Sequence, residues 1–257
     1  MTQNERLNYL IDFLINEKNE YSKISVPNNE LEKRRLLRSL MNVRPPLPIS
    51  DSFLKIQDQY LKEETSSKGI IKIKELTPVR EKIYLWQGDI TTLSCDAIVN
   101  AANSAMLGCF VPCHGCIDNA IHSSAGVQLR LECDKIMKLQ KSPEPTGRAK
   151  ITKAYNLPCR YVIHTVGPIV SGNVTANDCC MLEMCYRSCM ALAEEYKLKS
   201  IAFCCISTGE FHFPNKEAAE IAINTVLDYQ NKNPNSPEVI FNVFKNADYE
   251  IYRKLLQ

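Results

Sequence analysis

The sequence predicts an α/β protein with a mixed sheet, helices on both of its faces and a helical extension in front. Three observations carry this. Residues 1–69 show helical periodicity only, whereas residues 70–257 alternate short β-branched or aromatic runs with helical patterns. Strands that alternate with helices read as parallel βαβ units. Two neighbouring pairs of strands have no helix between them, which antiparallel pairing allows and parallel pairing does not.

Leu7, Leu10, Ile11, Leu14 and Ile15 recur at the spacing of an amphipathic helix, and a second helix is expected over residues 29–41. Pro45, Pro46 and Pro48 then interrupt, because proline cannot continue a helix, and a third helix is expected over residues 51–62. The polar run at residues 63–69 cannot bury itself, which places the boundary there: a helical extension, 1–69, and an α/β domain, 70–257. In that domain strands are expected at 70–73, 82–86, 97–99, 150–155, 161–166, 200–206 and 238–244. Helices are expected at 117–137, 178–196, 215–229 and 247–256.

With 257 residues the chain can hold a sizeable core, and 45% hydrophobic with 23% charged residues is ordinary for a globular protein. A net charge of +2 disfavours a nucleic-acid partner. No run approaches the roughly 18–20 apolar residues that span a bilayer, and the N-terminus lacks a signal peptide's apolar stretch, so a cytoplasmic protein without membrane contact is expected. The twelve cysteines are scattered rather than framed for disulfides. Cys95, Cys133, Cys159, Cys204 and Cys205 read as small core residues, as do Cys185 and Cys189 on one helical face.

Ligands of such sheets bind beyond the carboxyl ends of the strands. Asp89, after a strand and Gly88, can cap a turn or accept from a ligand amine. Asn100 and Asn103 can grip a sugar or satisfy a loop, and Ser207-Thr208-Gly209 can cradle phosphate or form a plain turn. The most specific segment is residues 107–122. Three thiols and an imidazole (Cys109, Cys113, His114, Cys116) fall within eight residues broken by Pro112 and Gly115, a turn that can bring ligands inward. Thiolate and imidazole suit zinc; three ligands leave the metal a free position, and four close it. Cys113 and Cys116 also form a CxxC, which a redox dithiol would use.

In their order, Gly88-Asp89-Ile90-Thr91, Asn100-Ala101-Ala102-Asn103, residues 117–126, residues 161–168 and Ile206-Ser207-Thr208-Gly209 make the chain from about residue 70 onward resemble the macrodomain family. The resemblance implies a three-layer α/β/α domain that binds ADP-ribose. Where many macrodomain hydrolases carry a glycine-rich run, this chain has residues 109–116, which resembles the zinc-containing subclass. There the ligands would be Cys109, His114 and Cys116, with Cys113 a bystander.

By the same resemblance Asp89 would accept from the adenine amine, Ile90 would pack on the ring and Phe244 would stack on it. Ser207, Thr208, Gly209, Glu210 and Phe211 would wrap the diphosphate with backbone N–H groups, Glu210 through its backbone rather than its side chain. Asn103 and Asp118 would address the distal ribose as catalytic residues. His122 and His164 read as core histidines rather than catalytic bases. The expectation is a zinc-dependent hydrolase that frees ADP-ribose from protein side chains, Asp or Glu esters above all. The alternative is a reader of ADP-ribose whose zinc is a structural clip, with Cys113 as the fourth ligand.

Overall fold

A computed structural model describes residues 1–257. Three helices come first: α1 (Gln3–Asn16), α2 (Glu30–Val43) and α3 (Asp51–Ser67). Their starts are fixed by side chains that satisfy otherwise unpaired N–H groups: a Thr2–Glu5 capping box, Asn29, and Ser50. Their apolar stripes, Leu7, Leu10, Ile11 and Leu14 against Leu37, Leu40 and Phe53, close a small core of their own.

The run at residues 63–67, expected as an unburied linker, instead completes α3. Glu63 pairs with Arg6 at 2.6 Å, Glu64 pairs with Arg34 at 2.5 Å, and Thr65 is buried, so tertiary contacts hold a segment whose composition reads as loop.

The large sheet has the order β2-β3-β9-β8-β5-β7-β6. Its strands are β2 (Pro78–Arg80), β3 (Ile83–Gln87), β5 (Ala97–Ala102), β6 (Ala149–Lys153), β7 (Tyr161–Val166), β8 (Ser200–Phe203) and β9 (Glu238–Val243). Strands β3, β9, β8, β5 and β7 are mutually parallel, while the two edges, β2 and β6, run antiparallel to their neighbours. This is the mixed sheet the sequence predicts. Strand β2 escapes sequence reading because it is short and starts at Pro78, a residue an edge strand tolerates. The expected strand at 70–73 is reduced to β1 (Ile71–Lys72), which pairs only with β4 (Leu93–Ser94) outside the main sheet.

Helices α6 (Ala176–Glu195), α7 (Asn215–Lys232) and α8 (Asn246–Leu256) flank the sheet in sequence order, α7 packing between the other two. The single helix expected over 117–137 is two, α4 (Ile117–Ala125) and α5 (Val127–Gln140), broken at Gly126, whose φ of +93° no helix continues through. A large core runs through this α/β sandwich, and Val127 at the break joins the small core instead. No helix is long and apolar enough to cross a membrane.

Candidate functional site

Because the five central strands are parallel, their carboxyl ends share one edge of the sheet, and the loops leaving β3, β5, β8 and β9 gather there. Gly88 N–H donates to Val243 O at 3.0 Å, which ties the exits of β3 and β9 together.

At this end Asp89 Oδ1 caps the short 3-10 turn Ile90–Thr92, accepting from Thr91 N–H at 3.0 Å and Thr91 Oγ1 at 2.7 Å. Its Oδ2 lies 3.3 Å from Lys68 Nζ. Burial pushes the carboxyl up, but the Thr91 donors and Lys68 outweigh it and hold the group below its ordinary range, as an anion able to accept. Ile90 is 2% exposed and packs in the core. Phe244 is 75% exposed and supplies the open aromatic face.

The loop after β8 turns sharply at Ser207, φ +66°. Thr208 Oγ1 donates to Cys205 O at 3.0 Å, and Phe211 O accepts from Val170 N–H at 2.9 Å. The successive N–H groups of Gly209, Glu210 and Phe211 donate to no other group of the protein, and a Cβ on Gly209 would meet nothing within 4 Å. Such a run of free donors in an open turn suits anionic oxygens. The Glu210 side chain, expected to be idle, reaches across to His114, with Oε1 3.6 Å from Nε2.

Asp118 lies in the first turn of α4 and is 5% exposed. Its Oδ1 accepts from Asn100 Nδ2 at 2.8 Å, and its Oδ2 lies 3.3 Å from Asn103 Nδ2. Asn103 is fixed in turn by Ala105 N–H, 3.0 Å from its Oδ1, and by its own donation to Gly108 O at 3.2 Å. Burial raises the Asp118 carboxyl to about 6 against the opposing pull of the Asn100 hydrogen bond and Arg130.

Behind it, His164 is a satisfied core histidine: Nδ1 is 3.1 Å from Asn100 Nδ2 and Nε2 is 2.9 Å from Thr152 Oγ1. His122 differs. It is buried with no hydrogen-bond partner on either ring nitrogen, and its Nε2 stands 3.5 Å from Asp118 Oδ1. Gly108 makes room for it, since a Cβ there would stand 2.7 Å from the imidazole.

Cys109, His114 and Cys116 converge, with ligand atoms all within 4.8 Å of one another and Cys109 Sγ 3.6 Å from His114 Nδ1. Two sulfurs and an imidazole at this spacing fit zinc. Burial raises the Cys116 thiol to about 12, so it would hold its proton until a cation displaced it. Cys113 stands apart: its Sγ lies 3.3 Å from Ser39 Oγ and 3.4 Å from Arg35 O, on α2. Sequence reading missed Arg38, Asn119 and Arg130, which surround this loop, because nothing local marks side chains whose partners lie far along the chain.

A family model described as Macro domain matches residues 99–222. A protein of Treponema medium named protein-ADP-ribose hydrolase is 55% identical over 260 residues, covering 100% of each chain. One of Staphylococcus aureus (strain MSSA476) with the same name is 46% identical, covering 97% of this chain and 94% of its own. Among solved structures, the Trypanosoma brucei macrodomain in complex with ADP-ribose superposes with a TM-score of 0.67 at 32% identity, over 85% of this chain and 95% of that one. The Oceanobacillus iheyensis macrodomain with ADP gives 0.60 at 38% identity, over 68% and 89%.

Proposed function

The chain belongs to the macro domain family, and from that premise we propose that it is a zinc-dependent protein-ADP-ribose hydrolase acting on Asp and Glu esters. One observation carries this reading: a buried, amide-held carboxylate, Asp118, follows directly on a three-ligand cluster from which the fourth thiol, Cys113, is turned away. A closed cluster would favour a reader of ADP-ribose; three protein ligands favour catalysis.

In the bound state the Asp89 carboxylate accepts from the adenine amine, exchanging its exposed contact with Lys68, and Phe244 covers the ring. The free N–H groups of Gly209, Glu210 and Phe211 take the diphosphate oxygens, and Asn103 orients the distal ribose. When bound to Cys109, His114 and Cys116, zinc supplies a Lewis acid at the ribose end. Glu210 then steadies the His114 ring from its other nitrogen.

Hydrolysis adds water across the ester. Asp118, held by Asn100 and Asn103, takes a proton from the attacking water or orients the ribose hydroxyl, and returns the proton to the departing oxygen. In the metal-free chain burial raises this carboxyl to about 6, which strengthens it as a proton acceptor.

The test is metal analysis of the purified protein together with release of ADP-ribose from an ADP-ribosylated carboxylate before and after chelation. Zinc near one per chain and release lost on chelation are expected. Turnover retained by both Asp118→Ala and Cys116→Ala would refute the mechanism.

A further inference from the structure

We infer that helix α2 of the N-terminal extension is a wall of the catalytic end: Arg38, with Ser39 and Asn42, is a positioning residue that sets the loop of residues 109–116 so that its three ligands converge. The inference deepens the proposed function and rests on it only for the identity of the metal.

The loop cannot order itself. Within residues 109–116 one backbone hydrogen bond forms, His114 N–H to Val111 O at 3.2 Å, and Cys113 adopts a φ of +51° that a side chain rarely tolerates. Its remaining order comes from outside, mostly from α2. Arg38 Nη2 donates to His114 O at 3.0 Å. The same guanidinium forks onto Asn119 Oδ1, Nη2 at 2.6 Å and Nε at 3.1 Å, and Asn119 Nδ2 passes the constraint on to Val111 O at 2.9 Å. Asn42 Oδ1 accepts from Cys113 N–H at 2.9 Å, while Asn42 Nδ2 donates to Ser123 Oγ on α4 at 2.9 Å.

Residues 111, 113 and 114 are thus each pinned, and they are the ones whose backbone aims the His114 imidazole at Cys109. The fourth cysteine acquires a role by the same geometry. Cys113 is neither ligand nor half of a dithiol; its thiol seats the loop on Ser39 and the Arg35 carbonyl.

Arg130, 5% exposed, closes the junction from the α5 side. Its Nη1 donates to the carbonyls of Met41, Asn42 and Arg44, where α2 ends and its own hydrogen bonding runs out. Its Nε donates to Leu107 O at 2.6 Å, and its guanidinium lies 4.2 Å over the Phe110 ring. The end of α2 and the entry to the loop therefore share one buried cation. Partners that orient metal ligands without touching the metal typically carry about 10–100-fold in metal affinity.

The test uses the full chain with Arg38→Ala, and Arg34→Ala as the control, since Arg34 pairs with Glu30 and Glu64 and not with the loop. Two quantities are read: hydrogen exchange of residues 111–116 in metal-free protein, and the zinc dissociation constant by competition with a chromophoric chelator. Arg38→Ala is expected to speed exchange in the loop about tenfold and weaken zinc about tenfold. Arg34→Ala should change neither, and ADP affinity should stay within twofold in both.

Arg38→Lys, which keeps the charge but cannot fork, should lie between wild type and Arg38→Ala, and decides the matter if the alanine variant does not fold. Unchanged loop exchange, or unchanged zinc affinity, in a folded Arg38 variant overturns the inference. If the wild type binds no zinc, the metal reading fails, and loop exchange alone still decides the role of Arg38.

Discussion

Asn100 donates one amide hydrogen to Asp118 Oδ1 at 2.8 Å and turns the other toward His164 Nδ1 at 3.1 Å, with both neighbours enclosed. An imidazole that accepts at Nδ1 carries its proton on Nε2, facing Thr152. A neutral relay from Thr152 through His164 and Asn100 thus orients the carboxylate without placing a second charge beside it. Replacing Asp118 with Asn keeps the size of the side chain and removes the proposed base, while one of the two accepting oxygens becomes a donor. Turnover is expected to fall by about two to four orders of magnitude, with ADP-ribose affinity within a few-fold, as read by single-turnover kinetics and calorimetry.

The same carboxyl has a cost in stability. Its folded value near 6 lies above the unfolded one, so the stability it contributes is present below about pH 4 and lost as pH rises through 6. In metal-free protein, raising the pH from 4 to 7.5 is therefore expected to cost the wild type more stability than Asp118→Asn, by on the order of 2–3 kcal/mol, measured by urea unfolding. A variant whose stability falls as steeply as the wild type's between pH 4 and 7.5 would contradict this.

His164 acts with the opposite sign. Burial lowers its folded value to about 3, below the unfolded one, so its contribution is complete above about 6.5 and declines as pH falls toward 3. His164→Gln should make stability flatter between pH 6.5 and 4 than in wild type. An unchanged slope in the same unfolding series would count against a neutral buried imidazole.

Gly167 tests the proposed diphosphate loop independently of the metal. A Cβ there would fall 2.0 Å from Ser207 Oγ and 2.9 Å from Ile206 Cγ2, and Ser207 already sits at positive φ. Gly167→Ala must displace the turn that presents the free N–H groups. At least a tenfold loss of ADP affinity is expected, with zinc content unaltered.

Phe244, exposed beside the exit of β3, is expected to act on the adenine ring alone. Phe244→Ala should weaken ADP-ribose by about 0.5–1.5 kcal/mol without changing the stability midpoint, since the ring buries almost nothing in the free protein.

What the sequence makes legible follows from the range of the forces involved. Tyr161–Val166 is a β-branched run bounded by Arg160 and by Gly167-Pro168 and is a strand with the expected ends, because local pattern and tertiary burial agree there. Residues 63–67 read as a polar run that cannot bury itself, because their helix rests on Arg6 and Arg34, far away in the chain. Gly126 breaks the expected long helix at a residue that periodicity alone passes over. At the site, the spacing of Cys109, His114 and Cys116 is local and readable. The orientation of Cys113 is set by α2, some seventy residues earlier, and no spacing within the loop encodes it.

The burial that makes most of the thiols core residues also sorts them by reactivity. Cys95, Cys133, Cys159, Cys185, Cys189 and Cys204 are buried, and that burial favours their protonated form and screens them from alkylating reagents in the folded chain. Cys180 is open, and Cys109, Cys113, Cys116, Cys179 and Cys205 are half-buried. A maleimide should therefore report on the loop of residues 109–116 through Cys109: its labelling is expected to fall when a metal is held there, while that of the open Cys180 stays the same.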